Sequence, residues 1–400
     1  MSLFKKRVYL DYASATPISK HAQSAMLRAE KMSGNPGSVH REGVAAMQSL
    51  ISSRERIAAE LGCKSREIIF TSGLTEANNL AILGFAQALD RAGKELVGTH
   101  WIVSAIEHQS VLACFAELER LGARVTHLDP DPKGRISAEA VTRALRKETI
   151  YISIGWANSE IGFVQSLSEI AHAIRAHEKK HDTTVIFHSD AGQGPLYRAP
   201  KVATLGVDLF SLGSGKLYGP RGIGTLFVGK RAVLAALTLG GAQERGVRAG
   251  TEPVALAAGF AEAMVRAGGE RAAEAKRLQK LRDDFVSGIS AHVQGAIING
   301  DLKRALPHML NISIPRIQSE YFVLALDRAG IALSTKAACS EGDARESHVV
   351  AALEIRPPRR ENAWRAQNTL RFSFGKQTTA SDMRWALKTF LNVLKHLHRS

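Results

Sequence analysis

Glu67-Ile68-Ile69-Phe70-Thr71-Ser72-Gly73-Leu74-Thr75-Glu76-Ala77-Asn78-Asn79 begins as a short apolar run, stops at small hydroxyl residues and a glycine, and opens into the amphipathic stretch Leu74–Ala92. The run Glu67–Phe70 reads as a strand and the stretch as a helix. A helix that starts behind such a turn presents free backbone N–H groups and the positive end of its dipole, which suits a phosphate. An ordinary cap by Ser72 or Thr71 explains the same residues. Outward from this unit the alternation repeats. Thr99–Ala105, Arg124–Leu128, Ile150–Ile154, Val185–His188 and Gly224–Val228 read as further strands, with helical segments such as Ser166–Lys179 between them. Strands alternating with helices predict an α/β fold, a mostly parallel sheet covered on both faces, with ligands gathering at the carboxyl ends of the strands.

Beyond this region, Pro253–Ala291 is helical and rich in Ala, Arg and Glu, and a helix near Val254–Arg282 is expected to connect two domains. Met309–Ile314, Tyr321–Arg328, Leu370–Phe374 and a final helix then form a compact α+β region. The basic, proline-containing stretch Arg356–Arg360 reads as a loop, and there are no internal repeats.

Composition excludes several function classes. Of 400 residues, 45% are hydrophobic, enough for a large core. No apolar run is long enough to span a bilayer. Met1–Leu10 is a short basic start followed by a strand, without the apolar region of a signal peptide, which places the chain in the cytoplasm. The three cysteines, Cys63, Cys114 and Cys339, are odd in number and far apart, and no Cys-x-x-Cys occurs. That argues against a disulfide framework and a metal site. Cys63 and Cys114 sit in apolar, helix-like surroundings and read as core residues. The formal net charge of +15 suits an acidic partner such as RNA, DNA or an acidic protein. The basic residues are scattered, which equally describes a solvated basic surface.

Chemistry-bearing residues recur just after predicted strands. His108, in Glu107-His108-Gln109-Ser110, is placed to stack on a planar ring or move protons, or is a plain surface or core histidine. Asn158 opens Asn158-Ser159-Glu160-Ile161-Gly162, which a simple turn also explains. Asp190, followed by Ala191-Gly192-Gln193, could pair with a protonated pyridine nitrogen and keep a ring cationic, or could cap a turn. Lys216 lies in Ser214-Gly215-Lys216-Leu217-Tyr218-Gly219-Pro220-Arg221-Gly222. A lysine in a tight, partly dry site forms Schiff bases because desolvation lowers its pKa, whereas a lysine taken alone is normally a solvated charge.

The order of these residues resembles the fold-type I pyridoxal-phosphate enzymes, within them the class V aminotransferase group, and there the cysteine desulfurases of the NifS/IscS type. Further segments carry the likeness almost end to end: Tyr9-Leu10-Asp11-Tyr12-Ala13-Ser14-Ala15-Thr16-Pro17, Gly34-Asn35-Pro36 with Ser38 and His40, Gln243–Thr251, Ser334-Thr335-Lys336-Ala337-Ala338-Cys339-Ser340, and Leu370–Gly375. The resemblance implies pyridoxal 5'-phosphate as cofactor and L-cysteine as substrate, with L-alanine as product. Sulfur would pass to Cys339 as a persulfide and then to an acceptor protein, either an iron–sulfur scaffold or a sulfur carrier; a tRNA-linked pathway also fits.

By the same resemblance Thr75, with the backbone at Leu74, holds the cofactor phosphate and His108 stacks on the ring. Asn158 contacts the ring hydroxyl or substrate, Asp190 pairs with the pyridine nitrogen, Gln193 bonds the phenolic oxygen, and Lys216 carries the Schiff base. Thr251 reaches the phosphate of a neighbouring subunit in a homodimer. Arg371 grips the substrate carboxylate as a bidentate fork, assisted by Asn35. The implied division is residues 1–20 as an N-terminal segment packing with the small domain, 21–252 as a large cofactor-binding domain, and 253–400 as connecting helix and small C-terminal domain carrying the active-cysteine loop.

One departure stands out. The family has a His directly before the Schiff-base lysine and a Ser two residues before that His, both on the phosphate; here those positions are Gly215 and Gly213, which should weaken cofactor retention unless Ser214 between them or the glycine backbone N–H groups compensate. Two alternatives accompany the desulfurase expectation. One is a related class V lyase or transaminase such as selenocysteine lyase. The other is a non-catalytic scaffold or RNA-binding partner.

Overall fold

The computed structural model describes residues 6–335, 346–354 and 364–397. Cys339 and the stretch Arg356–Arg360 lie outside the described residues. The elements run β1 (Val8–Tyr9), α1 (Lys20–Glu30), α2 (Arg41–Leu61), β2 (Ile68–Thr71), α3 (Leu74–Arg91), β3 (His100–Ser104), α4 (Gln109–Arg120), β4 (Arg124–Leu128), α5 (Ala138–Ala144), β5 (Thr149–Ser153), α6 (Leu167–His181), β6 (Ile186–Asp190), α7 (Val202–Leu205), β7 (Leu209–Gly213) and β8 (Gly224–Val228). There follow α8 (Val254–His292), β9 (Ile297–Ile298), β10 (Met309–Ser313), α9 (Ser319–Arg328), β11 (Ile331–Ala332), α10 (His348–Ala352), β12 (Thr369–Ser373) and α11 (Ala380–Leu397).

Seven strands form one sheet in the order β2-β8-β7-β6-β5-β3-β4. β7, β6, β5, β3 and β4 are parallel, and β8 runs antiparallel to both its neighbours. Side chains alternate into two cores. Ile68, Phe70, Ile102, Ile152, Phe187 and Phe210 face one, and Ile69, Trp101, Val103, Tyr151, Ile186 and Leu209 face the other. A parallel sheet covered on both faces is apolar on both, so its strands read as continuous apolar runs. β7 shows the consequence: all five of its residues are buried, and Leu209-Phe210-Ser211-Leu212-Gly213 merges with the glycine-rich segment behind it. It is the strand of this sheet that the sequence pattern did not reveal, and it delivers Lys216.

The 39-residue α8 packs against α1 and α2. Its second half places Phe285 against Phe372 and Phe374 of the later region, with ring centroids 5.2 and 6.2 Å away. There β12, β10 and β9 form an antiparallel sheet in that order, in which Asn311 pairs with Arg371. β1 pairs in parallel with β11, Val8 opposite Ile331, and Asp11 bridges to Ser373. The first residues of the chain are thus stitched to its last third. No helix among the described residues is long and apolar enough to cross a membrane.

Candidate active site

The carboxyl ends of β2, β3, β5, β6 and β7 open onto one cleft. Its inner part is lined by Glu107, His108, Asn158, Asp190, Gln193 and Lys216. An adjoining cavity of about 270 Å³ is lined by Ser72, Gly73, Leu74, Thr75, His108, Lys216 and Arg371. Lys216 and His108 belong to both walls, so the two spaces meet at the lysine.

α3 starts behind Gly73, and no side chain among the described residues caps it: neither Ser72 nor Thr71 does so. Thr71 Oγ1 instead donates to Gly73 O, and the Ser72 backbone N–H donates to Glu76 Oε2 at 2.6 Å. Glu76 is in turn paired with Arg248 Nε at 2.9 Å. A side chain on Gly73 would meet nothing within 4 Å, so there is open room beside the first turn. An uncapped helix start facing open space is where an anion is stabilised.

Asp190 is buried at the end of β6. Its Oδ2 accepts from Asn78 Nδ2 at 2.7 Å and its Oδ1 from the Gly192 N–H at 2.8 Å. Asn78 Nδ2 also reaches Ser110 Oγ at 2.9 Å. Gly192 sits close here: a Cβ on it would lie 2.5 Å from Leu74 Cδ2 and 3.2 Å from Asp190 Oδ1, so the leucine side chain would have to shift. Behind Asp190, His188 is fully buried between Ser153 Oγ and Ser211 Oγ, each at 2.9 Å, and burial lowers its pKa to about 4.

His108 is the N-cap of α4. Its Nδ1 accepts from the Ser110 N–H at 3.1 Å, which leaves Nε2 to carry the proton. Burial, and then the charge on Lys216, lower its pKa, so the ring is neutral at pH 7. Next to it Glu107 is 5% exposed, and its Oε1 accepts from the Gly155 N–H at 2.8 Å. Burial raises its pKa to about 8. Asn158 spends its amide on the backbone, with Nδ2 donating to Ile106 O at 2.8 Å and Oδ1 accepting from the Glu160 and Ile161 N–H groups at 2.9 and 3.0 Å. It is therefore both a turn residue and a wall of the cleft. Gln193 Nε2 donates to Ala13 O at 2.8 Å.

Arg371, on β12, is 1% exposed. It donates from Nη2 to Asp11 Oδ1 at 2.7 Å and Ser14 Oγ at 2.6 Å, and from Nη1 to Ser159 O at 3.1 Å.

Three expected residues are placed apart from these walls. Asn35 is exposed, and its Oδ1 accepts from the Gly37 N–H at 2.9 Å. Thr251 is also exposed. Ser214 is buried, its Oγ has no partner among the described residues, and it is packed where a Cβ on Gly219 would collide with it. Ahead of it, a Cβ on Gly213 would come within 3.1 Å of Leu74 Cβ, so a bare backbone here lets α3 start close over β7. A Cβ on Gly215 meets only the Arg221 side chain at an ordinary 3.4 Å and its Cα at 3.9 Å. Cys63 and Cys114 are held in the thiol form, both pushed up to about 12 by burial. Glu107, Asn78, Asp11 and Ser14 were not singled out as site residues by the sequence. For Glu107 the available signal was its place beside His108 at a strand end.

A model of the aminotransferase class-V family matches residues 8–384. The cysteine desulfurase IscS of Dictyoglomus turgidum is 38% identical over 395 residues, covering 98% of this chain and 96% of that protein. The putative cysteine desulfurase IscS 1 of Bacillus subtilis is 36% identical over 393 residues, covering 98% and 100%. The solved structure of a NifS-like protein superimposes with a TM-score of 0.87 at 30% identity, covering 98% of this chain and all of that one.

Proposed function

The chain belongs to the class-V aminotransferase family and groups there with the cysteine desulfurases, and from that premise we propose that it takes sulfur from L-cysteine, releases L-alanine and hands the sulfur on through Cys339. The fold is that of the fold-type I pyridoxal-phosphate enzymes. The observation that carries the reading is a lysine, a buried aspartate and a neutral histidine on one cleft, with a buried arginine on its outer wall.

These residues fit pyridoxal 5'-phosphate. The uncapped start of α3, with Thr75, would hold the phosphate, Asp190 would pair with the pyridine nitrogen, His108 would stack on the ring, Gln193 and Asn158 would contact its oxygen substituent, and Lys216 would carry the aldehyde carbon. When bound, the cofactor withdraws electrons from the substrate Cα and makes its C–H bond acidic. Asp190 would serve this by keeping a positive charge on the ring nitrogen. Arg371 binds the substrate carboxylate and turns the Cα–H bond towards Lys216, whose amine removes the proton. Cys339, as the thiolate, attacks the substrate sulfur. An S–S bond forms, the C–S bond breaks, and its electron pair stays on the carbon skeleton, which is protonated to give alanine. Cys339 is left as a persulfide for an acceptor protein.

Thr251 is exposed in the single chain, which supports its reaching the phosphate site of a second subunit in a homodimer. We further assign residues 1–20 to a segment packing with the small domain, 21–252 to a cofactor-binding domain and 253–400 to the connecting helix and small domain. We assign the protein to the cytoplasm, with an iron–sulfur scaffold or a sulfur carrier as acceptor and a tRNA-linked pathway as one destination. Purified holoenzyme given L-cysteine and a reductant should release sulfide and alanine in equal amounts. Cofactor-loaded protein that releases neither refutes the reading.

A further inference from the structure

The N-terminal turn touches two of the proposed working groups and the backbone beside a third. Asp11 and Ser14 hold Arg371, Ala13 O accepts from Gln193 at 2.8 Å, and Thr16 donates from its backbone N–H and from Oγ1 to the carbonyl of Gly215, both at 3.0 Å, beside Lys216. The turn is pinned in its own right: the Ala13 N–H donates to Ser373 Oγ at 2.8 Å, two residues from Arg371 on the same strand. We infer that this turn is a working part of the active site, in which Asp11 and Ser14 are positioning residues that aim the Arg371 guanidinium at the substrate carboxylate. The inference rests on the desulfurase reading.

A guanidinium this deeply buried needs a counter-charge, and Asp11, only 18% exposed at its side chain, is the ion-pair partner at 2.7 Å. Three of an arginine's five N–H donors are engaged here, by acceptors from two separate stretches of chain, the turn and Ser159. That fixes the plane of the guanidinium before any substrate arrives, and a preset donor costs less to use. Arg371 Nε has no acceptor among the described residues although it is buried. A buried donor left unpaired is expensive, and a carboxylate entering the cleft that Arg371 lines can satisfy it.

The test uses holoenzyme and the variants Asp11→Ala, Asp11→Asn and Ser14→Ala. The visible absorbance of the bound cofactor is followed during titration with L-alanine, and with cysteamine, which keeps amine and thiol but has no carboxylate. Steady-state rates are measured with L-cysteine. Asp11→Ala should weaken L-alanine binding and raise KM for L-cysteine about tenfold, the effect of one charge-assisted hydrogen bond. Its kcat should change less than KM, and cysteamine binding should not change. Asp11→Asn keeps an oxygen for Nη2 but not the counter-charge, and should recover part of the loss. Ser14→Ala should show a smaller loss in the same sense and replaces Asp11→Ala if that variant does not fold. Unchanged L-alanine binding in the alanine variants, an equal loss for cysteamine, or an Asp11→Asn variant as weak as Asp11→Ala would each overturn the inference. A wild-type enzyme that makes no sulfide would sink the desulfurase reading instead, since both titrations would still report on Arg371.

Discussion

Glu107→Gln should flatten the dependence of stability on pH. Glu107 lies within the sheet's carboxyl-end layer, 5% exposed, with the Gly155 N–H on one oxygen and the charge of Asp190 nearby. Burial, more than Asp190, moves its pKa from an ordinary 4.5 to about 8. The folded protein therefore holds a proton that the unfolded chain has already lost throughout the interval between those two values. Linkage makes the unfolded state the poorer proton binder there, so stability is full below about pH 4.5 and falls as pH rises through about 8. One pKa unit corresponds to about 1.4 kcal/mol, so the interval of about 3.5 units sets a ceiling near 5 kcal/mol. Glutamine keeps the oxygen that Gly155 needs and cannot ionise. Denaturant unfolding of both proteins from pH 4.5 to 9 should give curves that meet at the acid end and diverge by several kcal/mol at the alkaline end, the variant being the more stable. Parallel curves, or a variant less stable at pH 9, would show that Glu107 is ionised in the fold and that the reasoning is wrong.

Three further outcomes follow from the geometry. Gly215→His, whose Cβ has ordinary room beside Arg221, should fold and slow the loss of pyridoxal phosphate during dialysis, while Gly213→Ser, within 3.1 Å of Leu74, should cost about 1–3 kcal/mol by overpacking the start of α3. Equal cofactor loss from Gly215→His and wild type would mean that the position does not face the phosphate. Glu244→Ala should cost about 3–5 kcal/mol in denaturant unfolding, because it leaves Arg54 without its 2.6 and 2.7 Å ion pair and the Phe70 N–H without its acceptor. A loss below about 1 kcal/mol, the range of a surface pair, would contradict this. Lys216→Ala should abolish the visible absorbance of the lysine-bound cofactor, and its persistence would point to another lysine.

What the sequence made visible and what it hid divide along physical lines. Strands with turn chemistry behind them, and the long α8 with its Ala, Arg and Glu content, are local signals and could be read directly. β7 is buried on both faces and leaves no alternation, so it was hidden even though Lys216 hangs from it. Lys216, His108, Asp190, Asn158 and Gln193 could be picked out because each follows a predicted strand and their order matched a family. Asn78 and Asp11 could not, because their roles depend on partners 112 and 360 positions away, Asp190 and Arg371. Pairings at that separation come from topology, and a single sequence does not display them. Ser214 shows the converse: its place before Lys216 suggested a phosphate ligand, and local packing against Gly219 has turned its hydroxyl into a buried group with no partner among the described residues.

The central claim, that sulfur passes through Cys339, is tested most directly by mass spectrometry of the peptide containing Cys339 after one turnover of holoenzyme with L-cysteine and no reductant. The expected result is the mass of one added sulfur atom on Cys339, removed by reductant and absent from the half-buried Cys63 and the buried Cys114, whose thiols burial holds protonated. Alanine produced with Cys339 unmodified, or added sulfur found on Cys63 or Cys114 instead, would contradict it.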